Sequence, residues 1–185
     1  MRVRQEVGRK LVHAVYGLSL AYVVFSLEKP VSIALLTALF IFGGILLENR
    51  RKLPLTNFLL RTLGRKGEAT GKGPLSFTMG ALIAVALFPR NSAVWGIIFL
   101  AIGDAMATFA GVYLRKTHRI GAVKNKTWEG FFACFLSNFA VAAFFSGLPL
   151  ARVFAAAIFT AFVEVAVPRE IDDNLLIPSF AAVFF

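Results

Sequence analysis

Three ionisable residues interrupt long apolar stretches of the sequence: His13, Asp104 and Glu164. A charge at the centre of a hydrocarbon layer costs about 3 kcal/mol or more, so each is a candidate for function. Asp104 is the strongest. It lies in GDAMATFAG (103–111), where Asp104, Ala107, Thr108 and Gly111 share one helix face at i, i+3, i+4 and i+7. Its neighbours on that stripe are small. Either a second helix packs there and hides a hydrogen-bonded aspartate, or a ligand approaches the backbone beside a carboxylate. His13 alone reads as a hydrogen-bonded packing residue.

Two polar clusters could join Asp104. RKTHRIGAVKNKTWEG (115–130) carries Arg115, Lys116, Arg119, Lys124 and Lys126, then Thr127 and Glu129. Thr127 as N-cap with Glu129 in the first turn fits helix-start chemistry. A helix N-terminus beside Lys124 and Lys126 is also an anion site, whereas a solvated basic loop is the plainer role for the lysines. PREIDDNLLIP (168–178) sets Asp172, Asp173 and Asn174 in a row. Adjacent carboxylates with a carboxamide suit a hard cation such as Mg²⁺. Glu164, about one turn deeper, either joins them or snorkels to the interface.

Near the N-terminus, Glu6, Arg9, Lys10, His13 and Gly17 follow helical spacing, and Glu6–Lys10 reads as an i,i+4 ion pair. GEATGKG (67–73) resembles a phosphate loop, but it has one residue too few between its glycines, and Gly73 stands where a metal-holding Ser/Thr is needed. No strand pattern precedes it. A P-loop fold is therefore excluded, and a phosphate-contacting or hinge loop is the expected role.

The elements that must position these groups follow from composition. Of 185 residues, 58% are apolar, 14% aromatic and only 16% charged. A soluble domain of this size could not hide so much apolar surface, and disordered chains are apolar-poor. The sequence predicts an all-α, polytopic membrane bundle forming a single domain over 1–185. Spans of the required length, about 20 residues, are expected at 11–27, 30–47, 74–89, 92–114, 129–147 and 150–167. The tail 175–185 is too short to cross alone and reads as half-inserted or as a truncated seventh span. The apolar run after MRVRQEVGRK is followed by EKP rather than a small-residue cleavage site, so it reads as a retained first span. LPLTNFLLRTLG (53–64) has the spacing of a short interfacial helix. The lone Cys134 supplies no disulfide framework.

Charge then sets the orientation. Seventeen of the twenty Lys and Arg fall on the N-terminus, the 48–73 and 115–128 loops and Arg169, against Lys29, Arg90 and Arg152 on the other side. The positive-inside rule places the N-terminus and the long loops in the cytoplasm. Topology thus accounts for most of the net charge of +10 without nucleic acid. Carboxylates for a metal, cations for phosphates and a nucleotide supply coincide on that face, beside apolar walls that admit a lipid. The combination points to phosphoryl or nucleotidyl transfer onto a membrane-embedded substrate.

GDAMATFAG, KNKTWEG and DDNLLIP together resemble the signature of the dolichol kinase, phytol kinase and CTP-dependent diacylglycerol kinase family, polytopic enzymes that phosphorylate lipid alcohols with CTP. The opening Glu6, Arg9, Lys10, His13 is similar to the family's start and RKGEATGKG (65–73) to its central loop, so the resemblance spans nearly the whole chain. It departs in having Thr108 where Ser is usual, Asn125 in place of the first Lys of the KKT run, and Arg115 where Gly is frequent.

The resemblance implies transfer of the γ-phosphate of CTP to a polyprenol, dolichol, other isoprenoid alcohol or diacylglycerol at the cytoplasmic face. It implies Asp104, Lys126 and Glu129 in catalysis, and a divalent cation, Mg²⁺, held by Asp104, Asp172 and Asp173. Lys10, Thr108, Gly111, Arg119, Lys124, Thr127 and Asn174 would contact the nucleotide. Lys124 and Lys126 would neutralise phosphate charge, and Glu129 or Asp104 would orient or deprotonate the alcohol. The nearest rival is a phosphatidate cytidylyltransferase-like CDP-lipid synthase, and the non-enzyme alternative is a small transporter with Asp104 and Glu164 on an ion path.

Overall fold

The structure, a computed structural model, describes residues 3–49, 72–114, 118–120, 126–167 and 172–185. These form seven helices: α1 (Val3–Ser26), α2 (Lys29–Glu48), α3 (Lys72–Leu87), α4 (Arg90–Tyr113), α5 (Trp128–Phe145), α6 (Leu150–Ala166) and α7 (Asp173–Ala182). Among the described residues the sole β pairing is an isolated antiparallel bridge, Arg119 to Thr127. The protein is all-helical in its described parts. The helices α2, α4 and α5 are long and apolar enough to cross a membrane, and α3 is apolar but shorter. The expected interfacial helix at 53–64 lies outside the described residues.

Prolines set several helix starts. Pro30 enters α2 within its first two positions, and Pro89 and Pro149 are the N-caps of α4 and α6. A proline there sacrifices no helical hydrogen bond. The tight turn before α4 is tied to its neighbour: Lys29 Nζ donates to the Phe88 carbonyl at 3.0 Å and Arg90 Nη1 to the Leu27 carbonyl at 3.2 Å.

Helix α4 is the hub, packed by α1, α3, α5 and α7. Its apolar residues Ile97, Leu100 and Ala101 join Leu20, Ala21 and Val24 of α1, Phe77 and Ala81 of α3, and Ile177 of α7 in one core cluster. A second cluster binds Phe99 to Ala142 of α5 and to Val153, Ala156 and Ala157 of α6. At the α1–α4 contact, a Cβ on Gly17 would fall 2.5 Å from Phe77 Cζ and 2.7 Å from the Ala101 Cβ. Only a residue without a side chain lets α1 lie this close.

The apolar tail is packed into the bundle. Its helix α7 holds ten residues, about 15 Å, and Ile177, Pro178, Ala181 and Ala182 are buried. It runs antiparallel to α4. Pro178 lies against Gly96, and the terminal Phe185 stacks on Trp95 with ring centroids 5.1 Å apart. Pro178 has no N–H to give the Asn174 carbonyl four residues back, and that carbonyl rests on Gly80 of α3, where a Cβ would collide with it. The short helix is thus clamped between α3 and α4, with its N-terminus beside Ser76 in the early turns of α3 and Glu164 in the last turn of α6.

Candidate functional site

Residues from four helices and one loop converge at that N-terminus. Oxygen atoms of Asp104 on α4, Glu164 on α6 and Asp173 on α7 lie within 4.8 Å of one another. Asp104 and Glu164 are buried, 5% and 4% exposed, while the Asp173 side chain keeps 25% of its surface. The cluster is therefore closed on its inner side and wet at its rim.

Cations sit on all three carboxylates. Lys126 Nζ donates to Glu164 Oε1 at 2.6 Å and to Asp173 Oδ2 at 2.9 Å. Lys10 Nζ, from α1, donates to Asp104 Oδ2. His13, one turn further along α1, places Nε2 3.3 Å from the same oxygen, yet that nitrogen is buried without a hydrogen-bond partner. Its ring stands edge-on to Phe77 with centroids 4.7 Å apart. The expected Glu6–Lys10 pair is not formed: Lys10 turns inward to Asp104, and Glu6 pairs instead with Arg9 at 2.5 Å. Both carboxylates are buried, but Glu6 has Arg9 beside it on α1, whereas Asp104 has no basic neighbour on its own helix and takes Lys10.

Lys126 is delivered by its loop. The Ile120 N–H donates to the Lys126 carbonyl at 3.0 Å and the Trp128 N–H to the His118 carbonyl at 2.9 Å, around the Arg119–Thr127 bridge. Thr127 then caps α5, its Oγ1 accepting from the Gly130 N–H at 3.1 Å. Burial works against the Lys126 ammonium. The Glu164 and Asp173 carboxylates outweigh it and hold its pKa above the ordinary lysine value.

Other expected site residues take structural positions. Asp172 is not one of the converging carboxylates. It is the N-cap of α7, accepting from the Asn174 N–H at 3.1 Å and from Ser76 Oγ at 2.5 Å. Burial, chiefly, and the adjacent Asp173 charge push its carboxyl above the usual aspartate range, against the Ser76 bond. Glu129 accepts from the His118 backbone N–H at 3.0 Å and meets His118 Nδ1 at 2.7 Å. Arg119 forms the β-bridge. Gly111 lies against Thr127, and a Cβ on Gly130 would sit 3.1 Å from the Ala107 carbonyl. The small-residue stripe on α4 therefore meets α5 and its cap at Ala107 and Gly111, while the Asp104 carboxylate at the head of the stripe meets Lys10 and His13 of α1, Glu164 of α6 and Asp173 of α7. Thr108 is half-buried. Asn174 is buried with its Oδ1 unpartnered. Lys124 lies outside the described residues. Sequence reasoning underrated His13 and had no signal for Ser76, whose role exists only once α3 and α7 meet.

Comparison with known proteins places the chain among relatives. It is 35% identical over 187 residues to "uncharacterized protein MJ1137" of Methanocaldococcus jannaschii, an alignment covering 96% of this chain and 91% of that one. The chain belongs to that protein's family. No protein-family model matches the chain, and no solved structure matches it.

Proposed function

We propose that this chain is a multi-pass membrane phosphotransferase that moves the γ-phosphate of CTP to the hydroxyl of a lipid alcohol. The acceptor is a polyprenol, dolichol or other isoprenoid alcohol, or diacylglycerol. The observation that carries the reading is the convergence of Asp104, Glu164 and Asp173 with Lys10 and Lys126 inside an apolar bundle. Three carboxylates facing two ammonium groups are costly to bury for stability alone. Hydrophobic residues of the same volume would hold the helices together as well.

The donor set fits a divalent cation. Three carboxylate oxygens are hard ligands at one point, and Asp104, Glu164 and Asp173 would hold the ion. Held there, a divalent ion would supply neutralisation of charge on the phosphates of a bound nucleotide. The two lysines then contact the same phosphates. The lipid oxygen attacks the γ-phosphorus, the bond from that phosphorus to the β-bridging oxygen breaks, and CDP departs. The alcohol proton passes to a carboxylate of the cluster. Positioning and charge stabilisation supply most of the rate in such a transfer.

The multi-pass topology, with the N-terminus and the site's wet rim on the cytoplasmic side, is supported by the apolar helices and by the asymmetry of Lys and Arg between the two faces. Lys126 and the start of α7 then open to the aqueous side that supplies nucleotide.

The test is incubation of membranes holding the full chain with γ-labelled CTP, Mg²⁺ and a panel of prenols and diacylglycerol. Label in an organic-soluble phosphate ester is the expected result. Pyrophosphate release with a CDP-lipid would transfer the site to nucleotidyl chemistry, and neither product, with ion flux in vesicles, to transport.

A further inference from the structure

Charge arithmetic at the cluster goes beyond the identity of the substrate. Asp104, Glu164 and Asp173 carry three negative charges, and Lys10 and Lys126 return two positive ones. A divalent cation added to this set leaves a net positive charge in a largely buried space, with two ammonium groups already on the oxygens it needs. A nucleoside triphosphate, with about four negative charges, more than offsets that excess and offers oxygens to the ammonium groups that the metal displaces. His13 supplies the independent sign that a ligand belongs here, being about nine-tenths buried with Nε2 aimed at Asp104 and no hydrogen bond made. The three carboxylate oxygens are the donors of a metal site, and the His13 nitrogen stands behind them against Asp104.

We propose that Asp104, Glu164 and Asp173 form a divalent-cation site whose place is held by the ammonium groups of Lys10 and Lys126, which yield the carboxylates to the metal and move onto the phosphates when the nucleotide binds. Metal and lysine compete for the same oxygens, so the cation enters with the nucleotide and binds weakly without it. The destination of the lysines rests on the phosphotransferase reading; the competition does not.

The geometry makes the two lysines unequal. Lys126 bridges Glu164 and Asp173 from a loop, with 24% of its side chain exposed, so it has room to swing. Lys10 is buried on a helix and holds Asp104 alone among these carboxylates. Removing Lys126 frees two ligands, and removing Lys10 frees one.

The experiment is a Mn²⁺ titration of the detergent-solubilised full chain without nucleotide, following the electron-spin resonance of free Mn²⁺. Wild type is expected to bind weakly. Lys126→Met is expected to bind about tenfold tighter or more, because one opposing charge is removed at contact range. Lys126→Gln provides the same test with a polar side chain, and Lys10→Met provides it from another helix. Adding Glu164→Gln to Lys126→Met should return binding to the wild-type level. Equal Mn²⁺ affinity in wild type and all three lysine variants overturns the proposal, and so does a Lys126→Met/Glu164→Gln protein that binds as tightly as Lys126→Met. If the lysine variants gain metal while wild type makes no labelled lipid phosphate, the kinase reading fails and the competition stands. Labelled lipid with unchanged metal affinities leaves the kinase reading standing and overturns the competition.

Discussion

Lys10 and Asp104, 94 positions apart, form a buried ion pair that joins the first helix to the central one. Both groups lie away from water, so each depends on the other for solvation. Breaking such a pair by deleting one partner costs about 3–5 kcal/mol, whereas replacing both with apolar groups is often neutral. Lys10→Met and Asp104→Leu are therefore each expected to lower the unfolding midpoint of the solubilised protein, while the double variant recovers most of the loss. Simple additivity of the two losses would show that the pair does not form.

The pair also separates stability from chemistry. Asp104→Asn keeps the shape and a hydrogen-bond acceptor for Lys10 but removes the charge. It is expected to fold and to lose about 100-fold or more in CTP-dependent lipid phosphorylation, in the range found when one charge-stabilising group is deleted. Glu164→Gln should behave alike, with kcat falling and the KM for the lipid little changed, because Glu164 faces the cluster rather than the apolar walls. A Glu164→Gln enzyme with wild-type kcat would remove Glu164 from the site.

How much of this was legible beforehand divides along sequence distance. Helices and turns were readable because apolar run length and proline are local signals: 30–47 and 92–114 lie within or close to α2 and α4. Asp104 stood out because its surroundings are apolar. Its partners did not, since Lys10 offered a plausible local mate in Glu6 and nothing local says that a buried oxygen 94 positions away is the better one. Asp172 and Asp173 are indistinguishable as letters. One caps α7 while the other reaches the cluster, and only the direction of the helix decides which. The tail from 175 was measured against bilayer thickness, and a half-length helix clamped by Gly80 and Gly96 meets a different criterion, that of close packing.

Glu129 supplies a discriminating case. It is tied to the exposed His118, through both the backbone N–H and Nδ1, and thereby fixes the loop that carries Lys126. A loop-fixing role predicts that His118→Ala and Glu129→Gln lower activity by similar, modest factors, about tenfold or less, a change matching the loss of a hydrogen bond to a charged group. Direct proton transfer by Glu129 predicts that Glu129→Gln is far worse than His118→Ala. The ratio of the two rates, measured at saturating CTP and lipid, separates these roles.

Gly17 tests the packing that brings α1 to the site. A methyl group there meets Phe77 Cζ at 2.5 Å and the Ala101 Cβ at 2.7 Å, so Gly17→Ala must push the helices apart or displace the Phe77 ring. Overpacking of this kind costs about 1–3 kcal/mol. Phe77 is also the ring against which His13 stands, so activity is expected to fall together with the unfolding midpoint. Phe77→Leu in the Gly17→Ala background should recover part of both. An unshifted midpoint in Gly17→Ala would mean that α1 does not approach α4 so closely.

Asp172 gives a pH dependence with a definite sign. Its carboxyl titrates higher in the folded protein than in the unfolded chain, because burial and the charge of Asp173 disfavour ionisation. The folded state therefore binds this proton more tightly than the unfolded state. The contribution is fully present below the ordinary aspartate pKa and is lost as pH rises through the raised one. Asp172→Asn cannot ionise, yet its Oδ1 still accepts from the Asn174 N–H and its Nδ2 donates to Ser76 Oγ, whose own proton goes to the Gly73 carbonyl. The midpoint of Asp172→Asn minus that of wild type should accordingly grow more positive from the ordinary aspartate pKa upward and level off once the wild-type carboxyl is fully ionised. A difference that is flat across that window, or that shrinks as pH rises, would show the Asp172 carboxylate to be favoured at the head of α7, as an ordinary anionic N-cap is.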